Sequence, residues 1–293
     1  MRSARAVGLA AAVGMTLGLA LPTAVRAAPG PTPPIPVAVT YSENGPAKVV
    51  HEVARDRTGA IVYEVWSPAD LGPAGTRHPV ITWGNGSWAH PSDYAPLLRH
   101  LATWGFVVVA AETDQSGTGI EILSATRSVL ARDHDPRSRF AGHLATDRVG
   151  AGGHSQGAGG AVNATNLGKG LIRAVLLADI PNPIFTIPRG KDYRVGTLDV
   201  PVFFVAGVND PIISDAALNR SYFDHVQGPA AMALLRGADH NTVQHDAGGY
   251  RGDITAWFRW LLMGDPAAAP AFTGPHPQLL GDPHFQDQAL RGL

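Results

Sequence analysis

Seven short apolar runs recur along the chain: IVYEVW (61–66), PVITW (79–83), FVVVAAE (106–112), RVGAGGHS (148–155), RAVLLAD (173–179), VPVFFVAG (200–207) and AMALLRG (231–237). Several are apolar at every position, as strands buried on both faces must be. Helical patterns fit between them at 92–104, 119–132, 156–167, 215–226 and 250–263. Strand followed by helix, repeated, predicts an α/β fold with a doubly wound, mostly parallel sheet and helices on both of its faces. No fixed-period repeat is present, which excludes solenoids and propellers.

The ends of the chain read differently. Arg2 and Arg5 precede an apolar run from Ala6 to Leu21, and Val25 and Ala27 have cleavage-site spacing, so residues 1–27 read as a secretory signal peptide. The run is short for a bilayer span, which needs roughly 20 apolar residues, so export without stable membrane insertion is expected, to an extracellular or periplasmic location. Residues 28–40 include APGPTPPIP and are expected to be an extended lead-in. One domain over 41–265 follows, and 266–293, with little periodicity, is expected to wrap the surface.

With 23 basic and 24 acidic side chains the net charge is −1. No global field draws in nucleic acid or an anionic membrane. The chain has no cysteine, which removes disulfides, thiol nucleophiles and cysteine-ligated zinc. No phosphate-binding loop, HExxH or EF-hand pattern occurs in the right context, and neither a cofactor nor a metal is expected. RDHDPRSR (132–139) reads as a solvated charged loop.

The chemistry concentrates in GAGGHSQGAGG (150–160), six glycines around one serine. Gly153-His154-Ser155-Gln156-Gly157 is a Gly-x-Ser-x-Gly stretch between an apolar strand and a helix, the setting that projects a serine hydroxyl from a tight turn. The helix beginning at Gln156 aims free N–H groups and the positive end of its dipole at that point. A serine needs a base and a group to orient that base.

In doubly wound hydrolases the order is serine, acid, histidine. Asp210 ends one later strand and His240 follows the next, both on the edge of the sheet where Ser155 lies. Asp179 is the serious rival acid. Asp215 reads better as a helix cap, Asp239 is too close to His240 in sequence, and His245 is the rival base. For the oxyanion hole, one backbone donor is expected from Gln156 and the other from GNGS (84–87), with Ser87 preferred and Gly86 behind it. Trp83 and Trp88 flank that loop and offer an apolar wall; Trp88 with Gly86 is the candidate substrate contact.

These segments resemble the secreted lipase, cutinase and poly(ethylene terephthalate) hydrolase group of α/β-hydrolases, with dienelactone-hydrolase-like and chlorophyllase-like relatives. The resemblance runs from about residue 60 to 263, through HPVITWGNGSWAHPSDY, GAGGHSQGAGGA, VPVFFVAGVNDPIISD and LLRGADHNTV. It implies the α/β-hydrolase fold, with Ser155 as nucleophile, Asp210 as acid, His240 as base, and Ser87 and Gln156 as oxyanion donors. The chain departs from the polyester-degrading members in lacking a cysteine pair and in carrying Gly-Asn-Gly-Ser where they have proline, glycine and an aromatic residue.

Only about twenty residues (180–200) separate two strands where a lid would be inserted, so no large lid domain is expected. The expected activity is a monomeric, secreted serine hydrolase acting on a small ester, a lipid or a polyester. A peptidase or acyltransferase with the same triad, and a binding protein that keeps the fold without catalysis, are the alternatives.

Overall fold

A strand that alternates its side chains between two apolar layers must itself be apolar where it is buried, and most of the length of the central strands obeys this. In the computed structural model, which describes residues 36–185 and 193–293, β3 (His78–Gly84), β4 (Val107–Ala111), β5 (Leu144–His154), β6 (Ile172–Ala178), β7 (Val202–Gly207) and β8 (Ala230–Leu235) are parallel neighbours in the order β4-β3-β5-β6-β7-β8. Val108 and Ala110 of β4 face one core layer, and Val107 and Val109 face the other. Phe203 and Val205 of β7 alternate with Val202 and Phe204 in the same way.

Helices cover both layers. α2 (Ala95–Thr103) and α6 (Arg251–Met263) bury Leu97, Leu98, Leu101, Trp257 and Phe258 on one side. α3 (Ile120–Ala131), α4 (Gln156–Gly168) and α5 (Ala216–His225) bury Ile122, Val129, Val162 and Phe223 on the other. All five helices lie where the periodicity predicts them. The doubly wound α/β architecture is therefore as expected.

The edges of the sheet hold what the pattern did not reveal. β1 (Val49–Arg55) pairs antiparallel with β2 (Ile61–Pro68), and β2 antiparallel with β4. At the far edge β9 (Phe285–Arg291) pairs antiparallel with β8, making nine strands among the described residues. The segment 266–293 thus differs from a plain surface wrap: it adds a strand and a short helix, α7 (Gln278–Gly281), and inserts Phe272 and Leu279 into the core. Phe272 packs edge-on to Trp257 at 5.0 Å between ring centroids and stacks on Trp260 at 5.7 Å. Arg291 reaches back to the carbonyls of Asp224, Val226 and Gly228.

The expected lead-in gives way to a helix earlier than residue 40. α1 (Val37–Ser42) buries Val37 and Tyr41, and the Tyr41 hydroxyl donates to Asp265 at 2.7 Å. Residues 1–27, read as a signal peptide, lie outside the described residues. No helix among the described residues is long and apolar enough to cross a membrane.

The charged loop 132–139 is more than a solvated turn. Arg132 bonds Glu52 on β1 at 2.7 Å, and Arg139 reaches Ser67 at 2.6 Å and the carbonyls of Pro68 and Ala69 at 2.9 Å. Buried Asp133 accepts the Leu144 N–H at 2.8 Å. The loop clamps the β1–β2 edge onto the start of β5.

The glycines of 150–160 meet close neighbours. A methyl group on Gly152 would press on the Trp83 ring, one on Gly153 on the Gly157 carbonyl, and one on Gly157 on the carbonyls of Gly84 and Asn85. The start of α4 thus lies backbone to backbone against the end of β3. Gly157→Ala should cost about 1–3 kcal/mol through overpacking, read as a fall in the thermal midpoint of roughly 2–12 °C for a domain of this size.

Candidate active site

Each strand of a parallel sheet delivers its following loop to the same edge, and that edge collects the predicted residues. Ser155 directly follows β5, with φ 53° and ψ −124°, a conformation that non-glycine residues avoid. Its backbone N–H is anchored to the Ala178 carbonyl at 2.9 Å. Asp210 stands three residues beyond β7, and His240 lies in the loop beyond β8.

His240 joins the other two. Its Nδ1 lies 2.6 Å from Asp210 Oδ2 and its Nε2 2.9 Å from Ser155 Oγ. Nδ1–H donates to the carboxylate, which leaves Nε2 as acceptor for the serine proton. Burial works against the charge of Asp210, but its hydrogen bonds, first from His240 and then from the backbone N–H groups of Ile213 and Ser214, hold its carboxyl below the usual carboxylate range.

The rivals fall elsewhere. Asp215 caps α5 by accepting the Leu218 N–H at 2.9 Å, as expected of a helix cap. Asp239 is taken up by its own turn, bonding Thr242 and Asn241. His245 is exposed, with its backbone tied to Asp93. Asp179 is fully buried near the pair, but its Oδ1 accepts the Gly207 N–H at 2.8 Å rather than bonding His240.

The two expected oxyanion donors lie on either side of a side-chain bridge. Among the described residues, the backbone N–H groups of Ser87 and Gln156 bond to no other group, while Gln156 Nε2 donates to Ser87 Oγ at 3.1 Å. The same amide accepts the Gly117 N–H at 3.1 Å, so one glutamine connects the loops after β3 and β4 to α4. Gly86 is not an available donor, because its N–H is already bonded to the Tyr94 hydroxyl at 3.0 Å. Trp83 is core, fully buried and tilted against Tyr94. Trp88, by contrast, is 70% exposed with φ 65°, standing free at the rim.

Tyr94 and His154 are the functional residues that sequence reasoning missed. His154 Nε2 lies 2.7 Å from the backbone carbonyl of His240, so it carries the proton and Nδ1 is an acceptor. Tyr94 Oη, 2.8 Å from that Nδ1, donates to it and accepts from Gly86. The result is one directed chain from the Gly86 N–H through Tyr94 and His154 to the His240 carbonyl. Burial first, and the nearby His240 second, push His154 down to about 3, which keeps the ring neutral. The signal available was only the position of His154 beside the serine; Tyr94 lies sixty residues away in sequence and looked like an ordinary helix residue.

A family model described as PET hydrolase-like matches residues 23–279. The chain belongs to the PET hydrolase-like family. That places it in the cutinase-like group of the α/β-hydrolase superfamily, whose members are ester hydrolases and typically secreted. The match begins well before the region of about 60–263 that the motifs mark out and extends beyond it, taking in α1 and β1 and ending at the start of α7.

In this PET hydrolase-like chain, Tyr94→Phe removes a donor and an acceptor together and leaves the Gly86 N–H and His154 Nδ1 buried without partners. The expected cost is about 2–5 kcal/mol of stability, measured by urea unfolding, with kcat falling more than KM rises. Acid should also weaken the fold. His154 and His100, the latter brought to about 4 chiefly by burial, are neutral when folded, whereas in the unfolded chain both bind protons near the ordinary value of about 6.5. Their contribution is complete above that value and is lost as pH falls toward 4 and then 3. A urea midpoint that stays flat from pH 7 to pH 4.5 would contradict this.

Proposed function

We propose that the chain is a secreted serine hydrolase of carboxylic esters, acting through Ser155, His240 and Asp210. The observation that carries this reading is the single imidazole hydrogen-bonded to the serine hydroxyl on one side and to a buried carboxylate on the other. Family membership supplies the reaction class.

Ser155 Oγ attacks the ester carbonyl while His240 Nε2 takes its proton. The carbonyl oxygen, now negative, is received by the backbone N–H groups of Ser87 and Gln156, the second at the positive end of α4. Asp210 holds the ring in the tautomer that keeps Nε2 free, and it stabilises the imidazolium. His240 then protonates the leaving alcohol and activates water against the acyl enzyme. Neither metal nor cofactor has a role in these steps.

Several large apolar side chains are exposed in loops on the same edge of the sheet: Trp88 after β3, Ile184 and Phe185 after β6, and Ile212 two residues past Asp210. They support an ester with substantial apolar groups, either a lipid-like acyl chain or an aromatic polyester segment. The described part of the β6–β7 connection contains only two short 3₁₀ turns, Pro183–Phe185 and Val195–Thr197. This favours substrates reached from open solvent over lid-gated lipids.

Hydrolysis of p-nitrophenyl esters from acetate to palmitate tests the proposal. Ser155→Ala should lower kcat by a factor of ~10⁵ or more, and Asp210→Asn by ~10⁴ through the wrong tautomer. Wild-type turnover in the serine variant would end the assignment. A matched amide substrate cleaved as fast as its ester would shift the reading to a peptidase.

A further inference from the structure

Asp179 is a buried acid that the reaction above leaves unused. It follows β6 directly, is fully buried, and adopts φ 46°, in the left-handed region unfavourable to residues with a Cβ. One oxygen accepts the Gly207 N–H at 2.8 Å, while Oδ2 has no hydrogen-bond partner. A carboxylate oxygen of Asp179, one of Asp210 and a ring nitrogen of His240 all lie within 4.8 Å of one another. Receiving the Gly207 N–H needs only a carbonyl oxygen, which asparagine would provide without placing a second acid beside Asp210.

We infer that Asp179 is a reserve positioning carboxylate for His240, protonated while Asp210 carries the charge and able to ionise and orient the imidazole when Asp210 is lost. The inference rests on the Ser155–His240–Asp210 reading. Two acids this close in a buried site hold one negative charge between them, because the second ionisation opposes both desolvation and repulsion.

Burial drives the Asp179 carboxyl well above the ordinary range, and the charges of Asp210 and Asp239 push it the same way against the Gly207 hydrogen bond. The other groups facing it are His240, from the same loop as Asp239, Tyr250 at the start of α6, whose hydroxyl also lacks a partner, and Tyr94 just before α2. Of these, only His240 gains by a negative charge on Asp179. Removing the Asp210 side chain removes the repulsion and opens space toward His240. Asp179 then releases its proton to water, and its Oδ2 accepts the His240 Nδ1–H.

The test compares kcat/KM for a p-nitrophenyl ester in Asp210→Ala and in Asp210→Ala with Asp179→Asn, across pH 6–10. Alanine is used at 210 because an asparagine there would compete for the ring nitrogen. The single variant should lose ~10²-fold, less than the ~10⁴-fold of a triad deprived of a working acid, and the double variant should lose a further ~10²-fold.

In the single variant the rate should climb with pH as Asp179 ionises, and this limb should vanish in the double variant. Equal kcat/KM and equal pH profiles in the two proteins overturn the inference. If the double variant does not fold, the single variant decides alone: an Asp210→Ala profile shaped like that of wild type overturns it. Ser155→Ala in the same assay separates the two failures. An active serine variant ends the triad reading, whereas an inactive one with no difference between the Asp210 variants ends only the role of Asp179.

Discussion

Backbone lies directly on backbone where α4 begins, and the rest of the site is arranged around that approach. Gly157 leaves no room for a methyl group between the helix start and the carbonyls of Gly84 and Asn85, and Gly153 none between the end of β5 and the Gly157 carbonyl. The closeness sets Ser155 in its strained turn and brings Gln156 within bonding distance of Ser87 on one loop and Gly117 on the next. Asn85, in turn, fixes its loop to the end of β4 through the carbonyls of Ala111 and Thr113. Strain at one residue of order 1–3 kcal/mol persists because the surroundings over-determine it.

The electrostatics of this edge follow one rule. Asp210 is the buried group kept charged, and its neighbours are kept neutral around it: His154 by burial and Asp179 by burial and repulsion. Neutral neighbours do not compete with His240 for the carboxylate. A neutral His154 also preserves the direction of the hydrogen bonds running from Gly86 to the His240 carbonyl, because a protonated ring has no lone pair to accept from Tyr94.

The central strands were legible because burial on both faces demands continuous apolar runs, and no other element of a chain this size writes that pattern so plainly. β1 and β9 were not legible. VVHEVAR has one face in solvent, and FQDQALR is mostly polar with a single deeply buried residue, Phe285. Ser155, Asp210 and His240 could be read because each sits just past a recognisable strand, so the topology alone brings them together. Tyr94 and His154 meet in a contact between segments sixty residues apart, which sequence spacing does not encode. Gly86 looked like a donor until its N–H proved to be occupied, a fact set by a tyrosine eight residues away.

The far edge of the sheet shows how a cysteine-free chain closes. β9 is joined to β8 by backbone pairing, and Arg291 grips three carbonyls at and just beyond the end of α5, while Phe272 locks against two tryptophans. Extracellular enzymes often secure such a segment with sulfur, which ties their durability to the redox state of the medium. Here the fastening is made of guanidinium, carbonyl and ring contacts, so a thiol reductant finds no bond to break. The closure of this edge therefore involves no redox-sensitive covalent bond.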